Sequence, residues 1–482
     1  MNFRMIRRIL GILLIIEAIF MIPPFLISVY YGQQDMYAFL LSILFTGITG
    51  FTMYKLKVKN TTIKVRDALA IATFGWLIIS FFGALPFVFS RSIPSLVDAF
   101  FETVSGFTTT GATLVNHLED MPKSILFWRS FTHWIGGMGI LVFTVAFLPA
   151  MGVGSFQIFK AESPGPTADR LVPRIKDSAK LLYMTYFSFT IVQIIFLLFG
   201  KMSLFEAVVY TFGTVGTGGF ATEATSIAAY DSVYIHIVIA IFMFLSGINY
   251  SLYYSLFKGK WRDVVKNQEF KLYLGIIFVS TILITVNLMT TIYHDIGTAF
   301  KDAFFQVNAI ITTTGYAIAD FDLWPAFSKA VLFMLMFVGG CAGSTAGGIK
   351  VIRILTLLKL IKREIQRIFH PRAQIAIKNG ENIIQNETAS SITSFCALYF
   401  LIFILSIVIV SLDGFDLETT ISAVATTLGN VGPGFNQVGP MRTFSVFSAF
   451  SKITFSILML LGRLELFTMI AIFSPEAWKK QA

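Results

Sequence analysis

Four short segments of the sequence share one pattern of small and hydroxyl-bearing residues. They read DAFFETVSGFTTTGAT at 98–113, EAVVYTFGTVGTGGFA at 206–221, DAFFQVNAIITTTGYA at 302–317 and TTISAVATTLGNVGPG at 419–434. Aligned without gaps, all four have glycine at the fourteenth position, namely Gly111, Gly219, Gly315 and Gly432. A fourfold match at one fixed offset is hard to obtain by chance, so we interpret the segments as internal repeats.

Segments of this composition can coordinate a cation through oxygen atoms. Glycine reaches backbone angles that direct a carbonyl group inward, and it adds no Cβ to the space beside it. A ring of carbonyl oxygens replaces the hydration shell of an ion, and threonine contributes a hydroxyl oxygen. The candidate ligands are the three residues that end at each glycine: Thr109, Thr110 and Gly111; Thr217, Gly218 and Gly219; Thr313, Thr314 and Gly315; and Asn430, Val431 and Gly432.

The composition indicates a membrane protein. Of the 482 residues, 55% are hydrophobic and only 13% are charged, and apolar stretches of about 20 residues recur along the chain. We therefore predict an all-α polytopic membrane fold. Non-helical backbone at membrane depth is tolerated only where it is buried in protein or lines a water-filled path. Four glycines at one offset from four helix starts favour a pore over buried structural loops.

Each segment begins with the signature of a short helix. Asp98, Glu206 and Asp302 stand at the first position, and Thr419 in the fourth segment follows Glu418. An acidic residue in the first turn complements the helix dipole, and the later Thr- and Gly-rich run has little helix propensity. We expect a half-helix that enters the membrane, stops, and returns as extended chain.

The basic residues divide the chain into units. Most of the 37 Lys and Arg residues cluster at 4–8, 55–66, 160–180, 258–271, 350–378 and 479–480. Under the positive-inside rule these clusters, and with them both termini, are cytoplasmic. The predicted units are an N-terminal helix pair at 1–55, repeat 1 at 67–150, repeat 2 at 178–258, repeat 3 at 270–360 and repeat 4 at 388–474.

Each repeat is predicted to hold one long helix before its half-helix and one long helix after it. The expected spans are 69–89 and 125–148, 181–199 and 233–256, 271–290 and 327–357, and 393–411 and 444–472. All four repeats start from the cytoplasmic side and run in parallel, which counts against a secondary transporter built from inverted repeats.

The sequence GGCAGSTAGGIK at 339–350 interrupts the last helix of repeat 3. Small residues at a helix-packing interface would recur on one face, whereas these glycines crowd every face. We expect a broken helix in the pore, and we call 339–349 the glycine-rich loop. Its candidate functional residues, with the lysine that follows, are Gly339, Gly340, Gly343, Gly347, Gly348 and Lys350.

Arg463 lies in the otherwise apolar stretch 455–473. An arginine inside a spanning helix is costly and is a functional candidate by default. The alternative is a structural ion pair with Glu465 or another helix, although two residues along a helix face different directions. We interpret Arg353 as an interfacial anchor, and Arg129 and His133 as part of an aromatic and basic interface.

Other chemistries have little support in the sequence. There is no Walker motif and no GxGxxG after a strand, so we do not expect this chain to bind a nucleotide. Neither the five histidines nor the two cysteines have metal-ligand spacing, and no catalytic set is visible. The charge clusters fit membrane topology rather than nucleic acid, so we expect the lipid bilayer and no nucleic-acid partner.

The segments SGFTTTGAT, TVGTGGF, TTTGY and GNVGPGF, together with GGCAGSTAGGIKVIR and LLGRLELFT, resemble the Trk/Ktr potassium-transporter superfamily over essentially the whole chain. The N-terminal helix pair and the length are similar to its TrkH-type membrane subunits. The resemblance implies four M1–P–M2 repeats around a pseudo-four-fold axis and potassium uptake across the cytoplasmic (inner) membrane. It also implies a homodimer, a cytosolic nucleotide-binding regulatory subunit of the TrkA type, and no cofactor besides transported K⁺.

The same resemblance assigns Gly111, Gly219, Gly315 and Gly432 to a selectivity filter. It makes the glycine-rich loop a gating loop, with Arg463 in the permeation path. A sodium-permeable or sodium-coupled member of the superfamily is the alternative, and it would commonly carry serine in place of one filter glycine. An enzyme or scaffold with structural loops would need a polar catalytic cluster.

Overall fold

The computed structural model describes residues 1–478 except 57, 59–62, 140–174, 374 and 381. The regular secondary structure of the described part is helical apart from one antiparallel ladder, in which Lys378–Asn379 pairs with Asn382–Ile383. Six described helices are long and apolar enough to cross a membrane, or up to eight if each of two bent helix pairs is one span. The predicted end of repeat 1 beyond residue 139, and the basic cluster at 160–174, lie outside the described residues.

The N-terminal unit is a tightly packed pair of antiparallel helices. Its elements are Phe3–Phe20, continued by Ile22–Tyr30, and Met36–Tyr54. The two helices approach closely at Gly11 and Gly50, where a Cβ added to Gly11 would lie 2.7 Å from the Gly50 carbonyl oxygen. Small residues allow this approach in a membrane, where packing rather than water exclusion joins helices.

Each repeat contains a first helix, a half-helix and a last helix. In repeat 1 these are Val65–Gly83 extended by Leu85–Phe89, then Leu96–Phe107, then Lys123–Gly137. In repeat 2 they are Ile175–Phe199, Leu204–Val215 and Val233–Ser246, followed by Tyr250–Phe257 and a connecting helix Trp261–Lys266. In repeat 3 they are Gln268–Met289, Ile296–Ile311 and Ala326–Val338, followed by Val351–Phe369. In repeat 4 they are Asn386–Val410, Leu417–Gly429 and Ala449–Arg463, followed by Leu466–Phe473 and Pro475–Trp478.

Side-chain caps fix where the half-helices begin. Ser95 and Ser203 accept hydrogen bonds from the backbone N–H groups of Asp98 and Glu206, each three residues on. This is the arrangement that satisfies the free amides at a helix start. In repeats 1 and 2 the acidic residue therefore lies in the first turn, as predicted.

Repeat 3 begins its half-helix earlier than predicted. Asp295 caps the helix by accepting from the Thr298 amide, so the helix starts at Ile296 and Asp302 lies near its middle. Asp302 is buried and accepts a 2.6 Å hydrogen bond from the Tyr293 hydroxyl. The predicted start at Asp302 was wrong because this carboxylate is satisfied by a tyrosine instead of by free helix amides.

The last helices end at Gly137, Ser246, Val338 and Arg463, and in repeats 2, 3 and 4 the chain then continues into a further helix. The prediction of continuous last helices over 233–256 and 444–472 was wrong, because these helix pairs are bent by 92° and 117°. In repeat 2, Asn249 starts a new helix by capping the Ser251 amide. In repeat 4, Glu465 adopts a left-handed φ of 64°, which a continuous helix does not allow.

Candidate functional site

The chain reverses in the same way after each half-helix. Thr109, Thr217 and Thr313 have a φ of 55° and Asn430 has a φ of 56°. The glycine two residues later again has a positive φ: 81° at Gly111, 80° at Gly219, 76° at Gly315 and 100° at Gly432. Residues of positive φ thus alternate with a residue that lacks it, and such alternation turns successive N–H groups to one side of the chain and their carbonyl oxygens to the other.

The backbone N–H groups of the returning strands donate hydrogen bonds to carbonyl oxygens of the half-helices. The amides of the middle residues, Thr110, Gly218, Thr314 and Val431, donate to carbonyl oxygens five residues earlier at 2.8–2.9 Å. Each returning strand is therefore fastened to the end of its own half-helix through its amides. Its carbonyl oxygens remain available on the opposite face.

The four returning strands close into a ring. A Cβ added at each glycine would meet the carbonyl oxygen of the middle residue in the next repeat: Gly111 at 2.1 Å from Gly218, Gly219 at 1.8 Å from Thr314, Gly315 at 2.3 Å from Val431, and Gly432 at 2.6 Å from Thr110. The contacts run from repeat 1 to 2, 3, 4 and back to 1. Every one of the four positions thus requires a residue without a side chain.

A cavity of about 480 Å³ opens on one side of the ring. Its floor is formed by the four ring glycines, and its walls come from the chain that follows them, including Thr113, Phe220 and Arg442. We call this space the outer cavity. It gives the ring an open approach from the side opposite the half-helices' C-terminal ends.

A buried ion pair supports the ring between repeats 1 and 2. Arg129 on the last helix and Glu102 on the half-helix of repeat 1 are 1% and 0% exposed, and Nη2 lies 2.7 Å from Oε1. Glu102 accepts from the Leu114 amide at 2.9 Å, and the Arg129 guanidinium lies over the Phe220 ring at 4.1 Å. The interpretation of Arg129 as part of an interface was wrong. A charged residue inside each of two apolar helices was the signal that could have paired them.

His133 explains why the middle residue of the returning strand is glycine in repeat 2. Its Nδ1 lies 2.7 Å from the Gly106 carbonyl oxygen, and its ring packs on Phe220 with centroids 4.1 Å apart. A Cβ added at Gly218 would lie 2.2 Å from the imidazole. Repeat 2 therefore has glycine where repeats 1 and 3 have Thr110 and Thr314, and the interfacial role predicted for His133 was wrong.

The glycine-rich loop lies directly beneath the ring, on the side away from the outer cavity. The Gly347 amide donates to the Thr313 hydroxyl at 2.7 Å, and the Thr345 hydroxyl donates to the Val215 carbonyl oxygen at 3.2 Å. A Cβ at Gly347 would lie 2.6 Å from the Gly429 carbonyl oxygen. The loop thus contacts the ends of half-helices 2 and 4 as well as its own repeat.

Glycines also let the two ends of the loop cross. Gly339 and Gly348 have φ values of 71° and 75°, and a Cβ at Gly348 would lie 2.7 Å from the Gly339 Cα. Gly340 is buried beside Ala346, whereas Gly343, with a φ of 73°, forms the exposed turn beside Asn249. The buried Lys350 follows the loop, and its ammonium group donates to the Ala346 carbonyl oxygen.

Arg463 joins the loop to repeat 1. Its guanidinium donates to the Thr345 carbonyl oxygen at 2.8 Å, and to the Gly136 and Gly137 carbonyl oxygens at 2.6 and 3.0 Å. Glu465 pairs with Arg353, whose guanidinium lies 3.8 Å from the Phe395 ring centroid. Arg353 is buried, so its interpretation as an interfacial anchor was wrong.

These elements define a helical membrane protein in which four repeats place re-entrant strands around one axis. The sequence model of the TrkH family, described as a cation transport protein, matches residues 31–480. The chain belongs to this family. The predicted membership of the Trk/Ktr superfamily and the predicted helical membrane fold are thereby confirmed.

Relatives match along their whole length. The Trk system potassium uptake protein TrkH of Escherichia coli (strain K12) is 38% identical over 493 residues, with 100% of both chains covered. The protein of the same name from Halomonas elongata is 37% identical, again with 100% of both covered. The crystal structure of the potassium transporter TrkH from Vibrio parahaemolyticus superposes with a TM-score of 0.89 at 33% identity, covering 99% of this chain and 100% of that chain. Family membership makes this chain a cation transport protein and not an enzyme.

Proposed function

We propose that this chain is the potassium-conducting membrane subunit of a Trk-type uptake system, with the ion path along the axis of the four repeats. The observation that carries the proposal is the closed ring, in which each glycine lies against the next repeat's carbonyl oxygen. The potassium uptake proteins among its relatives support the same ion.

The ring would act as a selectivity filter. Its carbonyl oxygens, which take no hydrogen bond from their own half-helices, replace the hydration shell of the ion. The C-terminal ends of the half-helices add partial negative charge below the ring. All four ring positions are glycine, which favours potassium over the sodium-permeable alternative that serine in the ring would indicate.

The function is tested by radioactive rubidium uptake into proteoliposomes that contain the purified chain. We expect uptake that competing potassium inhibits and that equal concentrations of sodium leave almost unchanged. If sodium inhibited rubidium uptake as strongly as potassium does, the sodium-permeable alternative would be favoured. Rubidium uptake no greater than into empty liposomes would contradict the proposal.

We further propose that the glycine-rich loop and Arg463 form the gate. Arg463 bridges the loop and repeat 1 through three hydrogen bonds, and in this proposal its positive charge opposes a cation that leaves the ring. Hydrogen bonds from a charged group contribute about 1.5–3 kcal/mol each. Arg463→Ala is therefore expected to raise rubidium flux at least about tenfold in the absence of any regulatory partner, with the potassium/sodium ratio nearly unchanged.

Arg463→Lys is the matched control for this prediction. It keeps the positive charge but cannot make the forked contacts of a guanidinium, so it separates the electrostatic barrier from the hydrogen bonds. A loss of flux in both variants would make Arg463 a support of the ring, and the gate would then lie elsewhere.

A cytosolic nucleotide-binding subunit of the TrkA type is the proposed regulator, and a homodimer with both termini in the cytoplasm is the proposed assembly. The clusters at 258–271 and 359–378 offer exposed basic side chains, among them Lys258, Arg262 and Arg372; the predicted cluster at 160–180 lies largely outside the described residues. Because charge attraction between exposed surfaces weakens with salt, we expect co-purification of an acidic soluble partner at low salt and its loss at high salt. Retention at high salt would exclude an electrostatic docking surface.

A further inference from the structure

Four side chains line the lower end of the ring, one from each repeat. They are Thr109, Thr217, Thr313 and Asn430, all fully buried and all in the left-handed conformation. The three threonines occupy equivalent positions, so any difference among them comes from their surroundings. Those surroundings differ in hydrogen bonding.

Three of the four have an oxygen with no bond to another segment. Within the described residues, the Thr109 hydroxyl and the Asn430 amide oxygen have no hydrogen-bond partner. The Thr217 hydroxyl donates to the carbonyl oxygen of the preceding residue, Gly216, at 2.7 Å. A buried, unpartnered oxygen beside a cation path is suited to bind the cation itself.

Thr313 differs because the glycine-rich loop reaches it. The Gly347 amide donates to its hydroxyl at 2.7 Å, so a partly positive hydrogen stands next to the oxygen that a cation would use. Gly347 is closely packed at this position, since an added Cβ would lie 2.6 Å from the Gly429 carbonyl oxygen and 2.9 Å from the Asn430 Cβ.

We propose that Thr313 is the latch of the gate: its hydroxyl holds the closed loop and becomes a cation ligand when the loop leaves. The amide hydrogen and a cation are both positive and repel each other at the same oxygen. Loop closure and cation occupancy at the lower end of the ring therefore compete. This inference rests on the proposed function and assigns Thr313 a positioning role beyond that of a filter ligand.

Three matched substitutions test the latch: Thr313→Val, Thr109→Val and Thr217→Val. All three positions have the same φ of 55°, and valine has nearly the shape of threonine. Each variant loses one hydroxyl ligand, so the ratio of rubidium fluxes between two variants isolates the effect of the loop. Fluxes are measured in proteoliposomes with the full chain and no soluble partner.

A buried hydrogen bond of this kind shifts an equilibrium by roughly two- to tenfold. We expect Thr313→Val to carry roughly two- to tenfold more flux than Thr109→Val, with Thr217→Val close to Thr109→Val. Thr313→Ser, which keeps the hydroxyl, should return the flux toward that of the unmodified protein. If valine at 313 lowers the yield of folded protein, alanine at the same three positions gives the same comparison.

Equal fluxes in the three valine variants would overturn the latch while leaving the filter intact, provided that the unmodified chain still prefers potassium over sodium. The latch would also be overturned if the rubidium flux of Thr313→Ser differed from that of the unmodified protein as much as the flux of Thr313→Val does. The hydroxyl group would then not be the cause of the effect. Absence of rubidium uptake by the unmodified chain would instead remove the proposed function and the latch together.

Discussion

Serine in place of Gly219 is expected to reduce potassium flux by on the order of a hundredfold, because overpacking and a strained left-handed residue each cost about 1–3 kcal/mol. An added Cβ would lie 1.8 Å from the Thr314 carbonyl oxygen, and φ at this residue is 80°. Rubidium uptake into proteoliposomes measures the loss. Gly275→Ser is the control, since nothing lies within 4 Å of a Cβ added to this helical glycine.

The remaining ring glycines extend this prediction. The distance from an added Cβ to the next carbonyl oxygen grows from 1.8 Å at Gly219 to 2.1 Å at Gly111, 2.3 Å at Gly315 and 2.6 Å at Gly432. Loss of flux is expected to follow that order, and Gly111→Ser should also raise sodium permeability relative to potassium. Unchanged selectivity in all four serine variants would show that the ring does not select the ion.

Removal of Arg129 is expected to give the largest loss of stability. Arg129→Met leaves the Glu102 carboxylate buried without its partner, and breaking such a pair costs about 3–5 kcal/mol. Lys329→Met is the matched control, because the Lys329–Glu418 pair at 2.7 Å is partly exposed, and exposed pairs contribute about 0–1 kcal/mol. The midpoint of thermal unfolding in detergent compares them.

The double variant Arg129→Met with Glu102→Gln separates charge from packing. Removing the stranded carboxylate should recover part of the lost stability, because the uncompensated charge is the main cost. If Arg129→Met and Lys329→Met shifted the midpoint equally, the buried pair would have no special role in holding the ring segments of repeats 1 and 2.

The repeats and the helix interruption at 339–349 could be predicted from the sequence because both are local patterns. A glycine at a fixed distance from a capped helix start implies a helix that stops, and a run of glycines implies a break. The ring itself was not predictable, since the contact of Gly432 with Thr110 joins residues far apart in the chain. Its closure depends on packing of all four repeats.

Pairings between distant charges were missed for the same reason. The sequence did not predict the ion pair between Arg353 and Glu465, which are 112 residues apart in the chain. Glu465 lies at the sharp bend that follows Arg463. Glu465 at this bend has a left-handed φ of 64°. A non-glycine residue gives no clear sequence signal for this conformation.

The central claim, that carbonyl oxygens of the four returning strands bind the transported ion, is tested most directly by crystals grown in rubidium instead of potassium. Anomalous scattering locates rubidium without reference to the protein's function. We predict ordered rubidium on the axis, enclosed by the strands that end at Gly111, Gly219, Gly315 and Gly432. Rubidium ordered elsewhere in the protein, with none inside the ring at saturating concentration, would contradict the account.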